Sequence, residues 1–438
     1  MKQHIKLGLV CLARETFDFN AAAEIYGRIR GELASLENVS WEMVSELVIS
    51  VEDAKKAAAR LASASLDALV CISGTFHLGH LVLEIRKRNP LPILLWGLDE
   101  LPYNGGKIRL NSVCGVNLNA SNLYKAGVDD YRATVGPKID GDWVDAIRAI
   151  AAMRNSHLGI AGYRAHGFFN LSVSDPELYG ETGLLLDHYE LSDIFSEKVE
   201  EKAVSLARQK LLDVFEVSGV TELQVAKVSE LAAKLDAFCA RNSLDALAIR
   251  CWPEFARDYG ISPCAAMSLL QSEGRLLACE GDVEGALSLM LHKAVGAETP
   301  YLFDFSQVDL EKNFALFWHC GVAPCNLWDG KSCRSLDTYF AGGKGVTADF
   351  VLKSGELSIA RLDTARGQRR LFLQRARAVP MDKELKGTYM KAVFDRPVKE
   401  VLDLIIAKGV AHHASVSYGD FMEPLRIAAG LKGWEVVE

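Results

Sequence analysis

Apolar and polar positions follow two rhythms along the first third of the chain. IKLGLVCLA, DALVCISG and LPILLWG are apolar over strand length, whereas AAAEIYGRIRGELASL and VEDAKKAAARLA repeat apolar residues every three or four positions, as helices do. WEMVSELVIS predicts another strand and residues 78–87 another helix. Strands that are apolar throughout need cover on both faces, so their alternation with helices predicts a parallel α/β sheet. In such sheets ligand chemistry sits in the loops at the carboxyl ends of the strands. Here those loops hold Arg14 and Glu15, Gly74 to His77, and Gly97 to Glu100.

The rhythm resumes at residue 157. HLGIAGYRAHGFFN places a strand before a glycine-bearing turn, DHYELSDIF predicts another strand, and helices over 197–215 and 221–241 lead to the strand DALAIRCW. ISPCAAMSLLQSEG reads as a helix, LLACEGD as a strand broken at Gly281, and 283–295 as a helix. After Pro300 the texture changes. TPYLFDFSQVD, FALFWHCGVA, DFVLKSGELSIARLDTARGQRRLFLQRARAV and ASVSYGD are strand-like with glycine turns, and only 397–408 and 420–429 read as helices. The expected class is α/β with three domains: an amino-terminal α/β domain over 1–155, a second parallel-sheet α/β domain over 156–300, and a β-rich, barrel-like domain over 301–438. A chain of 438 residues is too long for one compact core, which agrees with that division.

Composition narrows the function. Hydrophobic residues make up 49% and charged residues 24%, the balance of a soluble globular chain. No run approaches the about 20 apolar residues of a membrane span, and the first apolar run ends at Arg14 and Glu15 as a strand would, so no membrane partner and a cytoplasmic location are expected. A net charge of −8 gives no footing for nucleic acid, and the basic run RGQRRLFLQRAR alternates with apolar residues as a solvated strand face or subunit contact would. The ten cysteines sit mostly in apolar runs, and Cys320, Cys325 and Cys333 lack the CxxC spacing of a structural zinc site. Neither nucleotide-binding glycine fingerprint is present.

Ionisable side chains inside apolar, strand-like runs are costly unless something pairs with them. Four places fit that description: Glu280 and Asp282, Asp304, His319, and the adjacent His412 and His413. Carboxylates and imidazoles without thiolates suit manganese, magnesium or iron(II). A plainer account exists for several of them. Asp282 and Glu284 begin a helix, where acids cap and complement the dipole, which is favoured over metal contact, and His412 is a packing or hydrogen-bonding neighbour. Arg14 and Arg164 follow apolar strands, where each either binds a substrate oxygen or anionic group or forms a surface ion pair. Trp252 is either core or pocket lining, and His77 either a surface-loop residue or a site residue that crosses to another subunit.

The ordered motifs IRCWPEF, SPCAAMSLLQSEGRLLACEGDVEGALSLML, PYLFDFSQVD, FWHCGVAP and HHASVSYGD resemble the L-fucose and L-arabinose isomerase family, with ARETFD and NLNASNLYKAG as weaker amino-terminal features. The resemblance implies a metal-dependent aldose–ketose isomerase working through an enediolate. It implies Glu280 and Asp304 as metal ligands that double as the acid/base pair, His413 as a third ligand, and His319 near a further metal-binding position. A Glu followed by an Asp at those positions leans to the L-fucose type. The cation implied is Mn2+, or Mg2+, Co2+ or Fe2+, and the substrate a monosaccharide. The working form implied is a homo-oligomer, commonly a hexamer, with active sites at subunit interfaces. Members of this fold also act on modified aldoses such as 6-sulfo sugars, so that option stands beside the L-fucose reading. The competing class is a sugar-binding protein on the same fold without turnover.

Overall fold

A computed structural model describes residues 2–438. The chain divides into two compact units, residues 2–151 with 424–434, and residues 152–423 with 435–438. The amino-terminal unit is built on five parallel strands, β1 (Ile5–Leu12), β2 (Val39–Met43), β3 (Ala68–Ser73), β4 (Ile93–Gly97) and β5 (Tyr131–Val135), in the order 2-1-3-4-5. The three central strands are almost wholly buried, while β2 and β5 at the edges are half-exposed. That is the burial a doubly wound sheet requires. Its helices are specified locally. Ser50 Oγ accepts from the Asp53 N–H and the Asp53 carboxylate accepts from the Ser50 N–H, a reciprocal cap that starts the helix Val51–Ala62. Ala54, Ala57, Ala58 and Leu61 of that helix are buried.

The second unit combines two sheets. The first is parallel, with β6 (His157–Ala161), β7 (Leu185–Tyr189), β8 (Ala246–Ile249) and β9 (Leu276–Cys279) in the order 7-6-8-9. The second contains β10 (Tyr301–Asp309), β11 (Phe314–His319), β12 (Ser335–Asp337), β13 (Thr347–Val351), β14 (Gly355–Ala365), β15 (Gln368–Val379), β16 (Thr388–Phe394), β17 (His413–Tyr418) and β18 (Glu435–Val437). Six of these strands close on themselves. Antiparallel pairing runs β16-β11-β10-β17-β14-β15, and β15 pairs back onto β16, which leaves no free edge in the ring.

The boundary expected near residue 300 does not separate two cores. Leu247 and Ile249 of β8, Phe255, and Phe317, Phe350 and Val416 of the antiparallel sheet belong to one continuous buried cluster. The parallel sheet is too small to bury its own apolar face, so the barrel completes it. Within the barrel Phe303 stacks on Phe317 at 3.9 Å between centroids, and Phe305 and Phe394 pack on the same ring. Because side chains alternate along a strand, that inward set turns Asp304 to the other face of β10.

The basic run after Ala365 is not a solvated face throughout. Arg369 and Arg370 are buried, paired with Glu181 and Glu284 and with Asp363, while Arg375 and Arg377 carry the exposed ion pairs. Among the described residues no helix is long and apolar enough to cross a membrane.

Candidate active site

Glu280 leaves β9 on a turn that only a narrow set of residues can make. Glu280 and Gly281 both take left-handed backbone angles, with φ of 64° and 72°. A side chain at Gly281 would place its Cβ 2.3 Å from the Tyr163 carbonyl oxygen and 2.6 Å from the Arg164 Cα, so glycine is required there. Holding Glu280 in that region costs about 1–2 kcal/mol, and the Ala165 N–H donating to the Glu280 carbonyl at 2.8 Å helps to hold it. The strain has a use: it turns the carboxylate off the strand end and lets Asp282 start the helix Val283–Ala294 two residues later.

Asp304 and His413 reach the same place by register. They are direct partners across antiparallel β10 and β17, so their side chains share a face. His413 Nε2 lies 3.5 Å from Asp304 Oδ1 and 3.6 Å from Glu280 Oε2. That nitrogen is buried and has no hydrogen-bond partner. Two carboxylates and an imidazole, distant in sequence, therefore meet around one unsatisfied atom. His319, at the end of β11, forms a compact group with Asp304 and His413, and His412 forms another with Glu280 and His413, the ligand atoms of each group lying within 4.8 Å of one another. The His319 Nε2 is buried without a partner as well.

Glu280 and His413 are both held from behind. Trp252 Nε1 donates to Glu280 Oε1 and His412 Nε2 donates to Glu280 Oε2, both at 3.2 Å. His412 is fixed in turn by Asn170, whose amide lies 3.2 Å from its Nδ1, and by the edge of Phe168, which also packs on Trp252. His413 Nδ1 donates to Asp282 Oδ2 at 3.0 Å. Asp282 pairs with Arg361 at 2.5 Å, and neither side chain has any exposed surface.

Electrostatics follow from this packing. Burial opposes the charged form of Glu280, but the His412 hydrogen bond and the nearby His413 and His319 outweigh it and hold the carboxyl below its usual range. Burial dominates at His319 and lowers its pKa, which keeps that imidazole neutral. At His413 burial works the same way, yet the Asp282 hydrogen bond and the Asp282, Asp304 and Glu280 carboxylates prevail and raise it. Glu280 is thus held as the ionised carboxylate in which such a group binds a cation, whereas the raised pKa of His413 favours its protonated form, so that a cation binding there would have to displace a proton.

The other sequence candidates separate. Arg164 lies on the loop after β6, stacked over Tyr163 at 4.7 Å and Phe169 at 5.7 Å, and contacts the Tyr163 hydroxyl and Ser172 Oγ. No carboxylate pairs with it among the described residues, so the surface ion-pair account does not hold. Arg14 and His77 belong to the amino-terminal unit. Arg14 is exposed, and its N–H donates to Thr75 Oγ1 at 2.8 Å. His77 is neither a surface-loop residue nor accessible to a ligand. It is fully buried beside Ser73 and Asn119, and burial lowers its pKa to about 4.

Sequence reasoning favoured a helix cap over metal contact for Asp282, gave His412 a packing or hydrogen-bonding role without naming its partner, and passed over Arg361. Asp282 does cap its helix, accepting from the Gly285 N–H at 2.8 Å, but it also carries His413. The signal for Arg361 was present in LSIARLD, a charge within an apolar strand, the same signature that marked Asp304.

No family model matches the chain. Its curated relatives include sulfoquinovose isomerases. That of Priestia megaterium is 27% identical over 427 residues, covering 95% of each chain, and that of Alkalicoccus urumqiensis is 26% identical over 443 residues, covering 98% of each. A third, from a Clostridium species, is 26% identical over 365 residues and 80% of each chain. Among solved structures, the arabinose-binding periplasmic protein of Shewanella sp. ANA-3 aligns over 56% of this chain and 72% of its own at 10% identity, with a TM-score of 0.17 that carries no argument. Relatives matched over 80–98% of their length, all bearing the name of a sugar isomerase, support an aldose–ketose isomerase enzyme.

Proposed function

We propose that the protein isomerises a 6-sulfonated aldose of the sulfoquinovose type to its ketose, using a divalent cation such as manganese held by Glu280, Asp304 and His413. The observation that carries this reading is the meeting of both carboxylates at the orphaned, buried His413 Nε2. The donor set fits: carboxylate oxygens and imidazole nitrogens, with no thiolate among the converging atoms, suit manganese, magnesium or iron(II). When bound, the cation would stabilise the negative charge that develops as a proton leaves the carbon beside the sugar carbonyl.

The chain's own groups handle the protons. Glu280, ionised and clamped by Trp252 and His412, is placed to take the proton from C2 and return it to C1. Asp304, 3.5 Å from the same nitrogen of His413, serves the hydroxyl proton. A sugar-binding protein without turnover would gain nothing from paying the burial cost of this arrangement. The relatives' sulfosugar name favours a sulfonated substrate over the deoxy sugar implied by the motif resemblance. The homo-oligomer and the interface-borne sites implied by that resemblance belong to the same proposal.

A sulfonate needs a cationic, hydrogen-bonding partner, and the unpaired Arg164 guanidinium at the carboxyl end of β6 supplies one. The test is conversion of sulfoquinovose in D2O with Mn2+, followed by NMR. The expected product is the ketose with deuterium at C1; absence of ketose would reject the reading. In an Arg164→Met protein, KM for the sulfonated aldose should rise roughly 10–100-fold, the worth of a charged hydrogen-bond pair, with little change for an unsulfonated aldose. An equal loss on both sugars would remove Arg164 from sulfonate recognition.

A further inference from the structure

Asp282 is over-qualified for the role of helix cap. Capping the helix Val283–Ala294 uses one oxygen, Oδ1, which accepts from the Gly285 N–H at 2.8 Å. A neutral Ser, Thr or Asn would do the same without burying a charge. The second oxygen does different work: Oδ2 accepts from His413 Nδ1 at 3.0 Å and pairs with Arg361 Nη1 at 2.5 Å. Arg361 comes from β14, is itself fully buried, and faces Glu284, which is tied to Arg369 at 2.9 Å and to Thr364. Two buried carboxylates are thus balanced by two buried guanidiniums, with Asp282 the member that touches the imidazole.

We infer that Asp282, backed by Arg361, is a positioning residue that fixes which nitrogen of His413 is bare and where it points. The inference rests on the reading of His413 as a cation ligand. With its Nδ1–H pinned to Asp282, the ring has one way to face Glu280 and Asp304, and it does so through Nε2. A carboxylate behind a ligating imidazole also raises its basicity, and losing such a partner typically costs about 10–100-fold in metal affinity.

The test is Mn2+ alone titrated into the full chain, with free Mn2+ followed by EPR. The wild-type protein should bind one ion per chain, and Asp282→Asn should bind about 10–100-fold more weakly. Asp282→Ser, which keeps a good cap, should be weakened at least as much. Wild-type affinity in both variants would overturn the positioning role and leave the metal reading standing. Failure of the wild type itself to bind would overturn both. A second measurement needs no variant. In 15N-histidine-labelled wild-type protein with Mg2+, His413 should carry its proton on Nδ1, and an Nε2–H tautomer would overturn the inference.

Discussion

Replacing Glu280 by Gln is expected to lower kcat by about 10³-fold or more while leaving the chain folded. Gln has nearly the same shape, and its carbonyl can still accept from Trp252 Nε1, so the left-handed turn and the Gly281 contact survive. What disappears is a group able to take up and return a proton, together with one negative charge facing His413. The measurement is steady-state turnover with saturating Mn2+, alongside a thermal melt that shows the fold intact. Undiminished turnover in a folded Glu280→Gln protein would end the assignment of this carboxylate as acid or base.

The second large effect is on stability. Arg361→Met should destabilise the unit that carries the site by about 3–5 kcal/mol. Replacing a whole buried ion pair with apolar residues is often harmless, but removing one member leaves its partners charged and dry. Here those partners are Asp282, with no exposed surface, and Glu284, which would keep Arg369 as its remaining guanidinium. Burial already raises the Glu284 pKa to about 7 despite Arg361 and Arg369, so that acid has little compensation to lose. Urea unfolding followed by tryptophan fluorescence would read the change. Removal of the exposed Lys399, paired with Asp403, is the matched control and should alter little. A loss below ~1 kcal/mol in Arg361→Met would mean that the buried network contributes no more than a surface pair.

What could be read from the chain depended on how local the signal was. Strands β1, β3 and β4 announce themselves because nearly all their residues are apolar, and the structure buries nearly all of them. The edge strand β5, YRATV, is polar and half-exposed, so periodicity passes it by. WEMVSELVIS keeps only its first residues in a strand, because β2 ends at Met43. DHYELSDIF holds two elements, the end of β7 and the short helix Leu191–Phe195, at whose start the Asp193 carboxylate accepts from the Glu190 N–H at 2.9 Å. The shared core of the parallel sheet and the barrel was not legible, since it depends on pairings between strands far apart in the chain.

The site divides in the same way. Glu280, Asp304 and His413 stand out because each is a charge or imidazole at the edge of an apolar run. That they meet is a consequence of register, Asp304 opposite His413, and of the Gly281 turn. Asp282 and His412 were visible, but a helix cap and a packing or hydrogen-bonding neighbour are adequate accounts of a single residue and name no partner. Their second roles appear only when His413 and Glu280 arrive from other strands.

The central claim is that one divalent ion sits where Glu280, Asp304 and His413 converge. Crystals grown with Mn2+, with diffraction recorded on both sides of the manganese absorption edge, test it most directly. The account predicts one anomalous peak per chain, about 2.0–2.5 Å from a carboxylate oxygen of Glu280, an oxygen of Asp304 and Nε2 of His413. A peak bound elsewhere in the chain, with none among these three side chains, would contradict it.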